Sequence, residues 1–199
     1  MIPKFNPEAN YILEDDRVLL RPLQADDFEN LLPFAINEPD TWKYSLTSAK
    51  GADGMQNYLD TALKEKADGK EYPFIVYDKK TSQYAGCTRF YDIQPQLETL
   101  QLGYTWYGEQ FRGTGLNKHC KFLLLQFAFE TLNIKRVEFR ADARNERSIA
   151  AMKSLGCKVD GILRSNMPLQ DGGRRDSIVL RILQPEWQQE VKEHLKGKL

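Results

Sequence analysis

Residues 99–132 read TLQLGYTWYGEQFRGTGLNKHCKFLLLQFAFETL, and the succession of patterns within them decides the architecture. Thr99 to Tyr107 is rich in aromatic and β-branched residues and predicts a strand. Leu116 to Leu132 carries Leu116, Cys120, Leu123, Leu124, Phe127, Phe129 and Leu132, apolar almost all round, which predicts a long helix buried against a sheet. Between them lies Arg112-Gly113-Thr114-Gly115-Leu116-Asn117. Paired glycines just before a helix start let the backbone approach a ligand closely, while the first free N–H groups and the positive end of the helix dipole face outward. Such a loop suits a pyrophosphate; the alternative is a plain strand-to-helix turn without a ligand.

Working outward, Arg17 to Leu23 predicts a strand, Ala25 to Ile36 a helix and Met55 to Lys66 a second helix stopped at Gly69. Pro73 to Asp78 and Tyr84 to Tyr91 flank the turn-rich Lys79-Lys80-Thr81-Ser82 and predict a hairpin that runs on into the Thr99 strand. After the long helix, Arg136 to Ala141 alternates apolar and charged residues with a period of two. Asn145 to Leu155 predicts a helix capped by Gly156. Val159 to Arg164 and Asp176 to Leu183, joined through Asp171-Gly172-Gly173, close the fold. The order is neither a regular βαβ repeat nor separate helical and sheet halves, so it predicts a mixed α/β sheet with helices on both faces.

The chain has 199 residues, 41% of them hydrophobic, with 28 Lys and Arg balanced by 28 Asp and Glu. A domain of this length buries about 70% of its unfolded surface and needs neither disulfides nor metal to support its core. We expect an N-terminal arm over residues 1–15, one domain over 16–184, and a C-terminal helix over 185–199 docked through Trp187, Val191 and Leu195. Zero net charge argues against nucleic acid as a partner. Glu14, Asp15, Asp16 and Arg17 in an N-terminus without an apolar core argue against a signal peptide or membrane span, so a cytoplasmic location is expected. Cys87, Cys120 and Cys157 read as reduced, packed thiols. His119 and His194 have no metal-ligand spacing, so no metal is expected.

Two familiar phosphate loops fail. Thr114 stands where a Walker A loop needs lysine after Gly108 and Gly113, and Lys118 stands where the dinucleotide fingerprint needs its third glycine. The loop instead resembles motif A of the GCN5-related N-acetyltransferases, an Arg/Gln-x-x-Gly-x-Gly/Ala pattern. Arg112 and Gly115 fit it, and Asn117 replaces the usual small residue. Asn145-Glu146-Arg147-Ser148-Ile149 and Leu155-Gly156-Cys157 are similar to a second segment of that family, with Cys157 replacing the usual aromatic. Arg17 to Leu23, Gly103-Tyr104, Gly161-Ile162-Leu163-Arg164, Gly172, Gly173 and Asp176 resemble its RimJ/RimL-type branch, which acetylates ribosomal-protein N-termini.

The resemblance implies a central, mostly antiparallel twisted sheet of about six to seven strands, and acetyl-CoA as co-substrate for direct acetyl transfer to a primary amine. A protein N-terminus is the leading acceptor and a small amine or antibiotic the second; monomer and homodimer stay open. Arg112, Gly113, Thr114, Gly115, Leu116 and Asn117 would hold the pyrophosphate, and Tyr104, Trp106 and Tyr107 lie on the strand that would pair with pantetheine like an added strand. Asn145 would bond pantetheine or serve only as a helix cap. Ser148 would protonate the leaving thiolate or be an ordinary helix-start serine. Many relatives carry a glutamate two residues before the Gly-Tyr pair; here Gln101 stands there and cannot accept a proton. Glu98 and Asp92 are the candidate bases. Trp42 and Tyr44, with Tyr91, are candidates for the acceptor side. The rival readings are a non-catalytic acyl-CoA-binding module, permitted by Gln101 and Asn117, and an ATP-binding protein that uses the glycine loop.

Overall fold

The computed structural model describes residues 5–169 and 172–199. One eight-stranded sheet organises the chain. Its strands are β1 (Leu13–Glu14), β2 (Val18–Pro22), β3 (Tyr72–Asp78), β4 (Gln83–Gln94), β5 (Thr99–Tyr107), β6 (Arg136–Asp142), β7 (Lys158–Pro168) and β8 (Arg174–Leu183), in the spatial order β1-β2-β3-β4-β5-β6-β8-β7. Every neighbouring pair is antiparallel except β5 and β6. The strand beyond the six or seven expected is β1, which lies inside the stretch read as an arm and pairs its two residues with Leu19 and Leu20 of β2. Two residues are too few to show any periodicity.

Four helices pack on the sheet: α1 (Phe28–Asn37), α2 (Gly51–Ala67), α3 (Leu116–Gln126) and α4 (Glu146–Ser154). The pleat of β4 shows that both faces are covered. Phe90 stacks on Phe127 just past α3, and Thr88 accepts a hydrogen bond from Lys121 of α3. The intervening Arg89 lies against Tyr58 of α2. The apolar core runs through both layers, with Leu20, Phe74, Val76, Phe90, Leu124 and Val137 among its fully buried side chains. Cys87, Cys120 and Cys157 are free, buried thiols, and burial pushes each up to about 12.

The helix read over Leu116 to Leu132 is α-helical only to Gln126 and then widens into a π turn, Phe127–Thr131, which buries Phe127, Ala128 and Phe129 in succession. The C-terminal stretch Gln184–Lys196 is helical and packs there. Trp187 is fully buried, stacks on Phe129 at 5.6 Å and donates to Glu130 Oε1 at 2.8 Å. Gly156 ends α4 at φ +97°, a conformation that glycine adopts without strain. Asp171 of the expected final turn lies outside the described residues; Gly172 has φ +83°. His119 of α3 meets Asp15 at 2.7 Å, with Asp16 close by, and ties the helix to the N-terminal stretch. Among the described residues no helix is long and apolar enough to cross a membrane.

Candidate active site

The parallel pair β5 and β6 is joined only at Thr99–Arg136, Leu100–Val137 and Gln101–Glu138. Beyond these residues the strands diverge, and a cleft of about 1070 Å³ opens between Leu102–Tyr107 on one wall and Phe139–Asp142 on the other. A bulge shapes the first wall. Tyr104 has φ +48°, and the ladder to β4 slips between Cys87 and Arg89. Gly103 is required beside it, since a Cβ there would lie 2.9 Å from the Tyr91 ring. A bulge of this kind re-aims side chains and frees backbone groups from the ladder.

At the mouth of the cleft stands the glycine loop. Gly113 and Gly115 have φ of +75° and +90°, and a Cβ on either would meet nothing within 4 Å, so the loop is open on its outer side. α3 starts on Gly115 without a side-chain cap from that residue; the Leu116 amide meets Thr114 Oγ1 at 3.5 Å and the Lys118 amide donates to the Gly115 carbonyl at 2.8 Å, which leaves the Asn117 amide of the first turn to face that opening. Arg112 does not reach outward. Its Nε donates to the Tyr107 carbonyl at 2.9 Å and its Nη2 to the Thr41 hydroxyl at 2.7 Å, pinning the loop to the segment after α1. Thr114 donates to the Phe111 carbonyl, and Leu116 is fully buried. Asn117 Oδ1 accepts the buried Tyr107 hydroxyl at 3.2 Å, so the residue that departs from the small-residue pattern satisfies a core phenol.

Asn145 caps α4: its Oδ1 accepts the Ser148 N–H at 3.1 Å. Both residues line the cleft, and the Ser148 hydroxyl has no partner among the described residues. The two candidate carboxylates part company. Asp92 lines the cleft, with its Oδ2 held by Gln101 Nε2 at 2.6 Å and its Oδ1 by Gln94. Glu98 is exposed at φ +53° in the turn before β5 and does not line the cleft. Its carbonyl accepts from the Lys135 amide, which keeps it at the far end of the strand.

The aromatic candidates also divide. Trp106 lines the cleft but faces inward, edge-on to Trp42 at 5.4 Å and donating to Tyr58. Trp42 is 4% exposed and lines a smaller neighbouring pocket with Tyr44, which borders both. Tyr91 and Tyr104 meet edge to face at 5.0 Å in the wall. Burial pushes both phenols up.

Three cleft residues escape sequence reasoning. Lys121 is 5% exposed and donates to Thr105 at 2.6 Å and Thr88 at 3.1 Å. Burial brings its ammonium down to about 8. Its signal is faint, since Lys118 and His119 precede it in the same helix and only its place between Cys120 and the apolar run from Phe122 to Leu125 hints at burial. Arg175, on β8, is buried and borders the cleft with Asn166 of β7. Neither stands in a pattern that sets it apart. The adjoining Arg89 pairs with Glu71 at 2.6 Å beneath Tyr104.

The sequence pattern of the Acetyltransferase (GNAT) domain matches residues 17–158. The curated protein named "Probable N-acetyltransferase YjcK", from Bacillus subtilis, is 24% identical over 89% of this chain and 100% of its own length. The crystal structure of a GCN5-related N-acetyltransferase from Brucella melitensis superposes with a TM-score of 0.88 at 23% identity, covering 96% of this chain and 86% of that one. The microcin C7 self-immunity acetyltransferase MccE, solved in complex with acetyl-CoA and AMP, gives 0.75 at 20% identity, covering 85% and 93%.

Proposed function

This chain belongs to the acetyltransferase (GNAT) domain family, and from that premise we propose that it transfers the acetyl group of acetyl-CoA directly to a primary amine. The observation that carries the reading is the divergence of β5 and β6 beside an open glycine loop. Leu102 to Thr105 line a gap that a strand-like pantetheine fits, and the start of α3 suits a pyrophosphate. We assign the chain to the RimJ/RimL-type branch on its motifs, with a protein N-terminus as the favoured acceptor. An α-amine has a pKa of about 7.7 to 8.0 against about 10.4 for lysine, so it needs less help to lose its proton.

Acetyl-CoA supplies an activated acetyl thioester. The chain's part is to orient and to move protons. Gly113, Gly115 and the amides that open α3 hold the pyrophosphate, and Arg112 fixes the loop's shape from behind. Asp92 takes the amine proton through water, and the Ser148 hydroxyl delivers a proton to the departing thiolate. Gln101 cannot act as base; its role is to hold Asp92.

A thermal-shift titration with acetyl-CoA, CoA, ATP and NADH tests the cradle. A ligand at about 100 times its dissociation constant adds about 2.7 kcal/mol to the folded state. Stabilisation by the two CoA species alone is expected, and stabilisation by ATP instead would sink the reading. Thiol release across an amine panel then separates the enzyme from a module that only binds acyl-CoA.

A further inference from the structure

The sheet face that carries α1 and α2 turns polar beyond β5. Cross-strand register sets Gln101 beside Glu138, and Asp142 beside Ser177 on that same face, with Arg175 two residues further along β8. Arg175 is 7% exposed, and among the described residues its guanidinium makes one hydrogen bond, from Nε to Ser177 Oγ at 3.1 Å. No described carboxylate pairs with it. Asp142 is the carboxylate whose charge acts on it, but both of its oxygens are held by Arg144, at 2.9 and 2.7 Å. Arg89, by contrast, is paired with Glu71. A buried guanidinium without a counter-charge costs stability, and burial accordingly lowers the Arg175 pKa from its ordinary value.

The same cleft holds two buried oxygens without hydrogen-bond partners among the described residues, Gln101 Oε1 and Asn166 Oδ1. The bond from Gln101 Nε2 to Asp92 fixes the orientation of that amide and makes Oε1 its free end. Carbonyl oxygens accept from N–H groups; a guanidinium fork donates to planar or tetrahedral anions. The cleft therefore offers both halves of a complementary site.

We propose that the acceptor is a primary amine that also bears a carboxylate or phosphate, with the anion seated on Arg175 and the amine N–H groups donated to Gln101 Oε1. The inference rests on acetyl transfer to an amine and narrows its substrate class. Carboxylate and phosphate satisfy the fork equally, so the two sources are separated by experiment.

The test uses the full chain saturated with acetyl-CoA. Short peptides with a free N-terminus and an amidated C-terminus carry glutamate at the second, third or fourth position, each matched by its glutamine isostere, and a phosphoserine peptide is matched by its serine parent. Thiol release gives kcat/KM, and the Tm of the CoA complex with each peptide gives binding without turnover. An anionic peptide should exceed its neutral match by at least about tenfold, chiefly through KM, as expected for hydrogen bonds to a charged group. Arg175→Met should abolish the difference, Arg175→Lys should keep part of it, and neither should lower the Tm of the free protein. Equal turnover of matched peptides would overturn the inference and leave acetyl transfer standing. Selective stabilisation by the anionic peptides, lost in Arg175→Met but without thiol release, would support the anion seat and reject the transfer. A lower Tm in Arg175→Met with equal losses for both members of a pair would make Arg175 a structural residue and overturn the inference.

Discussion

Gln101 Nε2 donates to Asp92 Oδ2 at 2.6 Å, across the antiparallel ladder from the position that β5 pairs with Tyr91. A side chain that cannot take a proton thus holds one that can. Asp92→Asn should lower kcat by about 10²- to 10⁴-fold with little change in the KM for acetyl-CoA. Gln101→Glu places a second carboxyl against the first, and one of the pair must then keep its proton to higher pH. The acid limb of the pH–rate profile should move upward; an unmoved limb would remove Asp92 from the reaction.

Asn145 and Ser148 sit on the same helix start but should fail in different ways. Asn145→Ala removes the cap on the Ser148 amide and should cost about 1 kcal/mol of stability. The Ser148 hydroxyl caps nothing, so Ser148→Ala should stay within about 0.5 kcal/mol of the parent in stability while kcat falls. Urea melts beside steady-state rates distinguish the two, and unchanged turnover in Ser148→Ala would reassign the proton donor.

Burial brings Lys121 from 10.5 down to about 8. Between those values the unfolded chain holds a proton that the folded one has released, so stability rises with pH across the window, and the penalty is full below about pH 8. Lys121→Met should therefore stabilise the protein by about 1–3 kcal/mol at neutral pH. The gain should fade by about pH 10 as lysine neutralises in both states. Chemical melts across that range check the sign, and a gain that grows with pH would refute the assignment.

Trp187 fills the space between Phe122 and Phe129 and is fully buried. Trp187→Ala should cost about 3–5 kcal/mol. Because the contact lies at the end of α3 remote from the glycine loop, the KM for acetyl-CoA measured well below the lowered Tm should hold; a large rise in it would show that the two ends of the helix are coupled.

Elements with strong periodicity are legible in the sequence. Thr99–Tyr107 spans the same residues in both readings, and the glycine loop, the Asn145 helix and the Gly156 stop all follow from local patterns. What stays hidden depends on register. Arg174 and Arg175 are neighbours in a charged run, yet the pleat sends Arg174 out to Ser165 and Arg175 into the cleft. Asp92 and Glu98 are equally plausible by spacing, and only the path of the turn between β4 and β5 separates them. The same limit conceals β1, where two residues act through a partner strand and not through a pattern of their own.

The brief union of β5 with β6 also divides the sheet. Antiparallel ladders knit β1 through β5 into one plate and β6 through β8 into another, while three residue pairs form the seam between the plates. α3 bridges that seam, touching β1 and β2 of one plate and the C-terminal helix that follows the other. The slot is therefore cut into the resting fold and held at a fixed width from behind, so a long, thin cargo meets a berth that exists before it arrives.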